Sequence, residues 1–170
     1  MIYAIAIIAI IIGVALDQYT KYLAITHLQG NPISIIDGVF ELRYLENRGA
    51  AFGLLQNQQT FFLIVGTITL LLIAYLYVRM PQTKRFLLLR VCMISITAGA
   101  IGNMIDRARF QYVVDFLYFE LIDFPIFNVA DIYATVATFG LVILLLFYYK
   151  EEDVDMLFQI VTPKCKKKCD

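Results

Sequence analysis

Long apolar runs alternate with short polar stretches along this chain, and the rhythm sets four segments apart. The first runs from Ile2 towards Leu28 and carries no charge before Asp17, and the second, Phe61 to Val78, carries none. The third, from Phe86 to Ile105, is interrupted by Arg90 near one end, and the fourth, from about Phe127 to Tyr149, holds Asp131 in its first turns. Crossing the hydrocarbon of a bilayer takes about 20 apolar residues per helix. Backbone groups in lipid must be satisfied within their own segment, so helices are the economical reading. The pattern predicts transmembrane helices over about 2–28, 61–78, 86–106 and 127–149. The first segment has no basic start and no small-residue cleavage site before Asp17, so it reads as a helix and not as a cleaved leader.

Between the first two runs the period changes. In "NPISIIDGVFELRYLENRGAAFGLL" the Asp37-Gly38 pair signals a hairpin turn. It lies between a β-branched run (Ile33, Ile35, Ile36) and an alternation that sets Phe40, Leu42 and Tyr44 opposite Glu41 and Arg43. A small one-sided sheet over about 30–56 is expected at the membrane surface, either as a platform for extended peptide or lipid or as a cap on the helices. The segment of about 108–126, with "FLYFELIDFPIF", is expected to be an outer loop able to lie in the interface. The fold class is thus a mainly α membrane protein: a four-helix transmembrane bundle with a small β-sheet and an outer flap loop. Residues 1–150 form one integral membrane domain, and 151–170 form a basic tail.

Composition supports this class, with 61% hydrophobic and only 16% charged residues. The formal net charge is zero, and the clustered Lys164 and Lys166 to Lys168 lie in the tail, so no nucleic-acid partner is expected. Basic residues in short loops orient a bundle. Arg79, Lys84, Arg85 and Arg90 flank the link between the second and third runs, and Lys150 follows the fourth. Both termini are therefore expected in the cytoplasm, with the 30–56 and 108–126 segments outside. Cys92 reads as a small apolar filler, and Cys165 and Cys169 of "CKKKC" fall on the reducing side without histidine partners.

Elimination narrows the chemistry. His27 is the single histidine, which removes multi-histidine metal sites, so no metal or other cofactor is expected. The two serines, Ser34 and Ser95, have no histidine or lysine at matching depth. Carboxylates remain, and they converge. Asp17 and Lys21 share a face in the outer half of the first helix. Asn103, Asp106 and Arg107 end the third helix, Asn128 and Asp131 start the fourth, and Asp115 sits in the loop before it. A charge in the apolar region costs on the order of 2.5–3.5 kcal/mol on insertion scales, so such residues are functional candidates. Asp17–Lys21 and Asp106–Arg107 read equally as structural pairs or as chemical groups. Asp115 and Asp131 have no cation nearby in sequence, which favours chemistry. Two carboxyl groups sharing one proton can hydrolyse an amide without metal, one activating water while the other polarises the carbonyl.

Five stretches also occur together and in order: "DQYTK" (Asp17–Lys21), "NRGAAFG" (Asn47–Gly53), "GNMIDR" (Gly102–Arg107), "VVDF" (Val113–Phe116) and "FNVAD" (Phe127–Asp131). In them the chain closely resembles the bacterial lipoprotein signal peptidases, also called signal peptidase II. The resemblance implies an intramembrane aspartyl protease of the bacterial cytoplasmic membrane, with a β-cradle and a mobile loop at the outer face. Its substrates would be prolipoproteins carrying diacylglyceryl on a cysteine, cut just before that residue, and globomycin-type cyclic peptides would inhibit it. Carried over by motif, Asp115 and Asp131 match the catalytic dyad. Asp17, Lys21, Asn47, Gly49, Gly102, Asn103, Asp106, Arg107, Asn128 and Ala130 match positions that shape the site or hold substrate. Of these, Asn103, Asp106 and Arg107 are expected to meet the lipid-linked end. The chain departs from the family at Gln111, where Gly is frequent, and at Ile132, where Ser is frequent, which bears on the loop's turn and on one helper hydrogen bond. The alternative is a small proton-coupled transporter or channel. Its relay would need polar groups at every depth, and the second helix offers only Thr67 and Thr69.

Overall fold

Helix α3 (Leu87–Phe110) carries the bundle, because α1 (Ile2–His27), α2 (Gln59–Arg79) and α4 (Val129–Ile143) all pack on it. The computed structural model describes residues 1–49, 55–153 and 156. Close packing on α3 follows from its small residues. A Cβ added at Gly99 would run into the backbone oxygen of Ala130 in α4, and one at Gly102 into the Asp17 carboxylate of α1. These two glycines let α1 and α4 approach α3 closely enough for polar groups to meet. The last helix closes in a π turn, Leu144–Tyr148.

All four spans are long and apolar enough to cross a membrane: Ile2–His27, Gln59–Arg79, Lys84–Phe110 and Val129–Tyr148. Their outward residues are apolar, the reverse of a water-soluble bundle. Ile8, Ile12, Leu71, Val91 and Phe139 are all exposed in the isolated chain, as expected where lipid supplies the contact. The buried residues gather at two ends. One cluster joins Met80, Phe86, Leu89, Met93, Leu144 and Tyr149. The other joins Ala24 and Leu28 of α1 to Val114 and Phe116.

The second cluster belongs to an antiparallel sheet in the order β1 (Ile33–Ile36), β2 (Phe40–Asn47), β3 (Val113–Tyr118). Gly38 takes φ +70° in the hairpin turn, as the Asp37-Gly38 pair predicts. The third strand differs from expectation, because Asp115 lies on β3 and not in a loop. Val114 and Phe116 face the helices while Val113 and Asp115 face the other way, and both faces are covered. A strand buried on both sides shows no polar alternation, so its sequence concealed it. A bulge between Leu42 and Leu45 places Leu45 opposite Asp115 and Asn47 opposite Val113. Only the later part of the expected outer loop is irregular, a 3₁₀ turn at Glu120–Ile122 followed by residues leading to Asn128. Helix α3 also runs one turn beyond the expected 106. Of the 151–170 tail, all but 151–153 and 156 lies outside the described residues, as does 50–54 of the 30–56 segment.

Helix α3 ends at Gln111, which takes φ +64°, the left-handed region that favours glycine. Its N–H and its side-chain Nε2 both bond the Arg107 carbonyl at 3.2 Å. Gln111→Gly removes the Cβ penalty and should raise stability by up to about 1 kcal/mol, read as a higher unfolding temperature in detergent.

Candidate functional site

Lys21 organises the polar end of the bundle. Its Nζ lies 2.9 Å from Asp17 Oδ2 and 2.9 Å from Asp106 Oδ2, and donates to Asn103 Oδ1 at 2.8 Å. An ammonium has three donors, and all are used. All three charged side chains are almost fully buried, where an unpaired charge would cost several kcal/mol. Each carboxylate then ties down a further element. Asp17 accepts from the Ala130 N–H in the first turn of α4 at 2.9 Å, and Asp106 accepts from the Val114 N–H of β3 at 3.1 Å. The sequence reading of Asp17–Lys21 as a pair holds. That of Asp106–Arg107 does not, because consecutive residues on a helix point apart, and Asp106 turns to Lys21.

Asn103 passes this order onward. Its oxygen accepts from Lys21 and, at 3.1 Å, from Asn128 Nδ2. Its NH₂ group therefore faces outward, donating to Asp131 Oδ1 at 2.8 Å. Asn128 is fixed in the same way. Its oxygen caps α4 by accepting from the Asp131 N–H at 3.0 Å, while the Asp131 carboxylate accepts from the Asn128 N–H at 3.2 Å. With its oxygen committed, the Asn128 amide nitrogen reaches Asp115 Oδ1 at 2.6 Å. Asn47 Nδ2 donates to the other oxygen of Asp115 at 2.8 Å, and Asn47 Oδ1 accepts from the Gly49 N–H at 3.0 Å.

Asp115 and Asp131 thus come from a strand and a helix start, are linked through Asn103 and Asn128, and line one cavity of about 680 Å³. Asn47, Gly49, Asn103, Arg107 and Val113 line it with them, and Phe124 to Phe127 form another part of its wall. Burial, and then the neighbouring Asp131 charge, push the Asp115 carboxyl up to about 7, against the opposing pull of the Asn47 and Asn128 hydrogen bonds and of Lys21. The Arg107 guanidinium lies 4.6 Å over the Phe62 ring, and its Nε has no acceptor among the described residues.

The structure sorts the predicted residues into two groups. Asn47, Gly49, Asn103, Arg107, Asp115 and Asp131 face the cavity. Asp17, Lys21, Gly102, Asp106, Asn128 and Ala130 are buried as its frame. Asp106, expected at the substrate's lipid-linked end, is instead sealed from the cavity, its oxygens taken by Lys21, Gln18 and Val114. Gln18 was missed. Its Nε2 bonds Asp106 Oδ1 at 2.8 Å, the Gly102 carbonyl at 3.2 Å and Asp17 Oδ2 at 3.3 Å. A polar residue beside Asp17 in an apolar helix was the available cue. His27 is exposed and takes no part.

Fold and site together define a multi-pass membrane protein with its polar machinery gathered at one end of a four-helix bundle, the form of a membrane-embedded hydrolase. Comparison with known proteins makes this specific. The family described as signal peptidase (SPase) II matches residues 8–147. The lipoprotein signal peptidase of Streptococcus thermophilus (strain CNRZ 1066) is 45% identical over 148 residues, covering 86% of this chain and 93% of that protein. That of Clostridium tetani is 40% identical over 151 residues, covering 86% and 93%. Two solved structures, both described as bacterial membrane enzymes determined by the in meso method, match with a TM-score of 0.74. The one at 2.3 Å resolution is 29% identical and covers 98% of this chain and 95% of its own, and the one at 1.9 Å is 33% identical and covers 86% and 95%. The chain belongs to the signal peptidase II family, and its activity is the removal of signal peptides from lipoprotein precursors.

Lys21→Met leaves two buried carboxylates without their cation and should cost about 3–5 kcal/mol. Adding Asp17→Asn removes one uncompensated charge, so the double variant should unfold at a higher temperature than Lys21→Met alone. Equal unfolding temperatures would show the three groups to be uncoupled.

Proposed function

We propose that this peptidase is of the aspartic type and that Asp115 and Asp131 are its catalytic pair. The observation that carries this reading is that both carboxyl groups line one cavity while two mutually bonded asparagines each hold one of them, Asn103 donating to Asp131 and Asn128 to Asp115. Asp115 carries the shared proton below about pH 7, in keeping with its upward shift. Asp131 acts as the base, its oxygens held by the Asn103 side-chain amide and the Asn128 N–H. Asp131 takes a proton from water as its oxygen attacks the scissile carbonyl, and the Asp115 proton polarises that carbonyl oxygen. The resulting tetrahedral species collapses as Asp131 returns that proton to the amide nitrogen, the C–N bond breaks and the carbonyl re-forms, the Asp115 proton staying with the pair.

The proposed substrate is a precursor bearing diacylglyceryl on the cysteine that becomes the new N-terminus. Asn103 and Arg107 are positioned to hold its polar linkage, with Arg107 keeping one donor without an acceptor among the described residues. Residues 119–127 serve as the flap over the bound peptide, and a globomycin-type cyclic peptide would compete for the same cavity. The α2–α3 link and the segment after α4 meet at the end opposite the carboxyl pair, where Arg85 bonds the Tyr148 carbonyl and Asp153. With its basic residues, that end is assigned to the cytoplasm and the cavity to the outer face. The transporter alternative gains no support, since the buried carboxylates collect at the cavity end and α2 buries only Gln59 among the described residues.

Cleavage of a diacylglyceryl-modified precursor should fall at least about a hundredfold in Asp115→Asn and in Asp131→Asn, with unfolding temperatures near that of the parent. Near-normal turnover in both would remove the assignment. Activity should also fall as pH rises past about 7, because Asp115 then gives up the proton that its raised value retains at lower pH. In Asp131→Asn one of the two upward influences on Asp115 is gone, so its titration, followed by infrared absorption of the carboxyl, should move to lower pH.

A further inference from the structure

The end of the bundle opposite the cavity holds a buried cation that the peptidase chemistry does not use. Arg90, one turn into α3, is 1% exposed. Its guanidinium lies 4.6 Å over the Tyr77 ring and caps the end of α2, donating to the carbonyls of Tyr77 at 3.3 Å, Met80 at 2.6 Å and Pro81 at 3.4 Å. A guanidinium has five donors, and its Nε has no acceptor among the described residues. Among the described residues Arg90 also has no carboxylate partner. Asp153, after α4, is held by Arg85. Capping explains the carbonyl contacts but leaves a buried positive charge without a counter-ion, an arrangement that a protein interior tolerates poorly.

Arg90 also lines a groove of about 510 Å³ between α1 and α3, walled by apolar side chains such as Ile5, Ile12, Val91 and Ile94 and reaching Tyr133 of α4. Ile5, Ile12 and Val91 are exposed in the isolated chain and so face lipid. The groove is apolar along its length and bears its cation at the interfacial end, where the N-terminus of α3 adds positive potential. A free anion satisfies the cation alone, and a hydrocarbon chain satisfies the walls alone. We infer that Arg90 and this groove form a site for one anionic phospholipid, its phosphate supplying the counter-charge at the Arg90 end and one acyl chain lying between α1 and α3. Lys84, exposed on the preceding turn, favours a lipid of net negative charge over a zwitterionic one.

The test uses the full-length protein in nanodiscs of phosphatidylcholine doped with phosphatidylglycerol, with native mass spectrometry counting retained lipid. The parent should hold one phosphatidylglycerol in preference to phosphatidylcholine. Arg90→Gln should weaken that retention about tenfold, and Arg90→Lys should lose less because it keeps the charge without the fork. Ala9→Phe, which fills the groove and leaves Arg90 in place, should also release the lipid, and it carries the test if Arg90→Gln does not fold. Retention unchanged in Arg90→Gln, with only a lowered unfolding temperature, would leave Arg90 as a cap for α2 and overturn the site. Loss of bound phosphatidylglycerol on adding inorganic phosphate alone would overturn the lipid in favour of a simple anion.

Discussion

The structure depends on one ammonium group. Lys21 holds the buried carboxylates of Asp17 and Asp106 together with the amide oxygen of Asn103, and none of the three buried charges would be tolerable there without the others. Asp17 lies on α1, Asp106 and Asn103 on α3. Through Asp17 the cluster takes the first turn of α4, and through Asp106 it takes the edge of β3. A single cation thereby sets the relative positions of three helices and a strand. The small residues of α3 make this possible, since any side chain at Gly102 would displace Asp17.

What the cluster transmits is orientation. An asparagine amide can face either way, but an oxygen already accepting from Lys21 cannot also point at a carboxylate. Asn103 must present its NH₂ to Asp131, and Asn128, its oxygen committed to the cap of α4, must present its NH₂ to Asp115. Donors thus face both carboxyl groups before any substrate arrives, which is the preorganisation that the proposed aspartic mechanism requires. The strand adds the asymmetry. Buried on β3, Asp115 loses more solvation than Asp131, which stands half-exposed at a helix start, so two chemically identical groups occupy different environments.

The two ends of the bundle solve different problems. At the cavity end buried charge is matched within the protein and put to use. At the other end aromatic and aliphatic packing predominates, with Phe86 stacked on Tyr149 at 5.5 Å and the Arg85–Asp153 pair clasping the chain after α4 to the start of α3. The middle of the bundle needs neither device, because lipid covers its apolar surface.

The four spans, the hairpin turn and the gathering of acids at one membrane face were all legible in the sequence, since length, apolar composition and turn chemistry are local properties. Asp17–Lys21 was legible for the same reason, being one helical turn apart. Asp106 shows the limit. Its neighbour in sequence is Arg107, yet its partner is Lys21, because only the packing of α1 on α3 decides which face of a helix meets a cation. Strand β3 escaped as well, covered on both faces and paired with a segment far away in sequence, and so did Gln18, whose three contacts all depend on that helix packing. The amino-acid order alone determined that acids and amides would collect at one end of a membrane bundle. Which of them touch the cavity and which are sealed beneath it was decided by the tertiary fold, since burial and hydrogen-bond direction exist only once the helices have met.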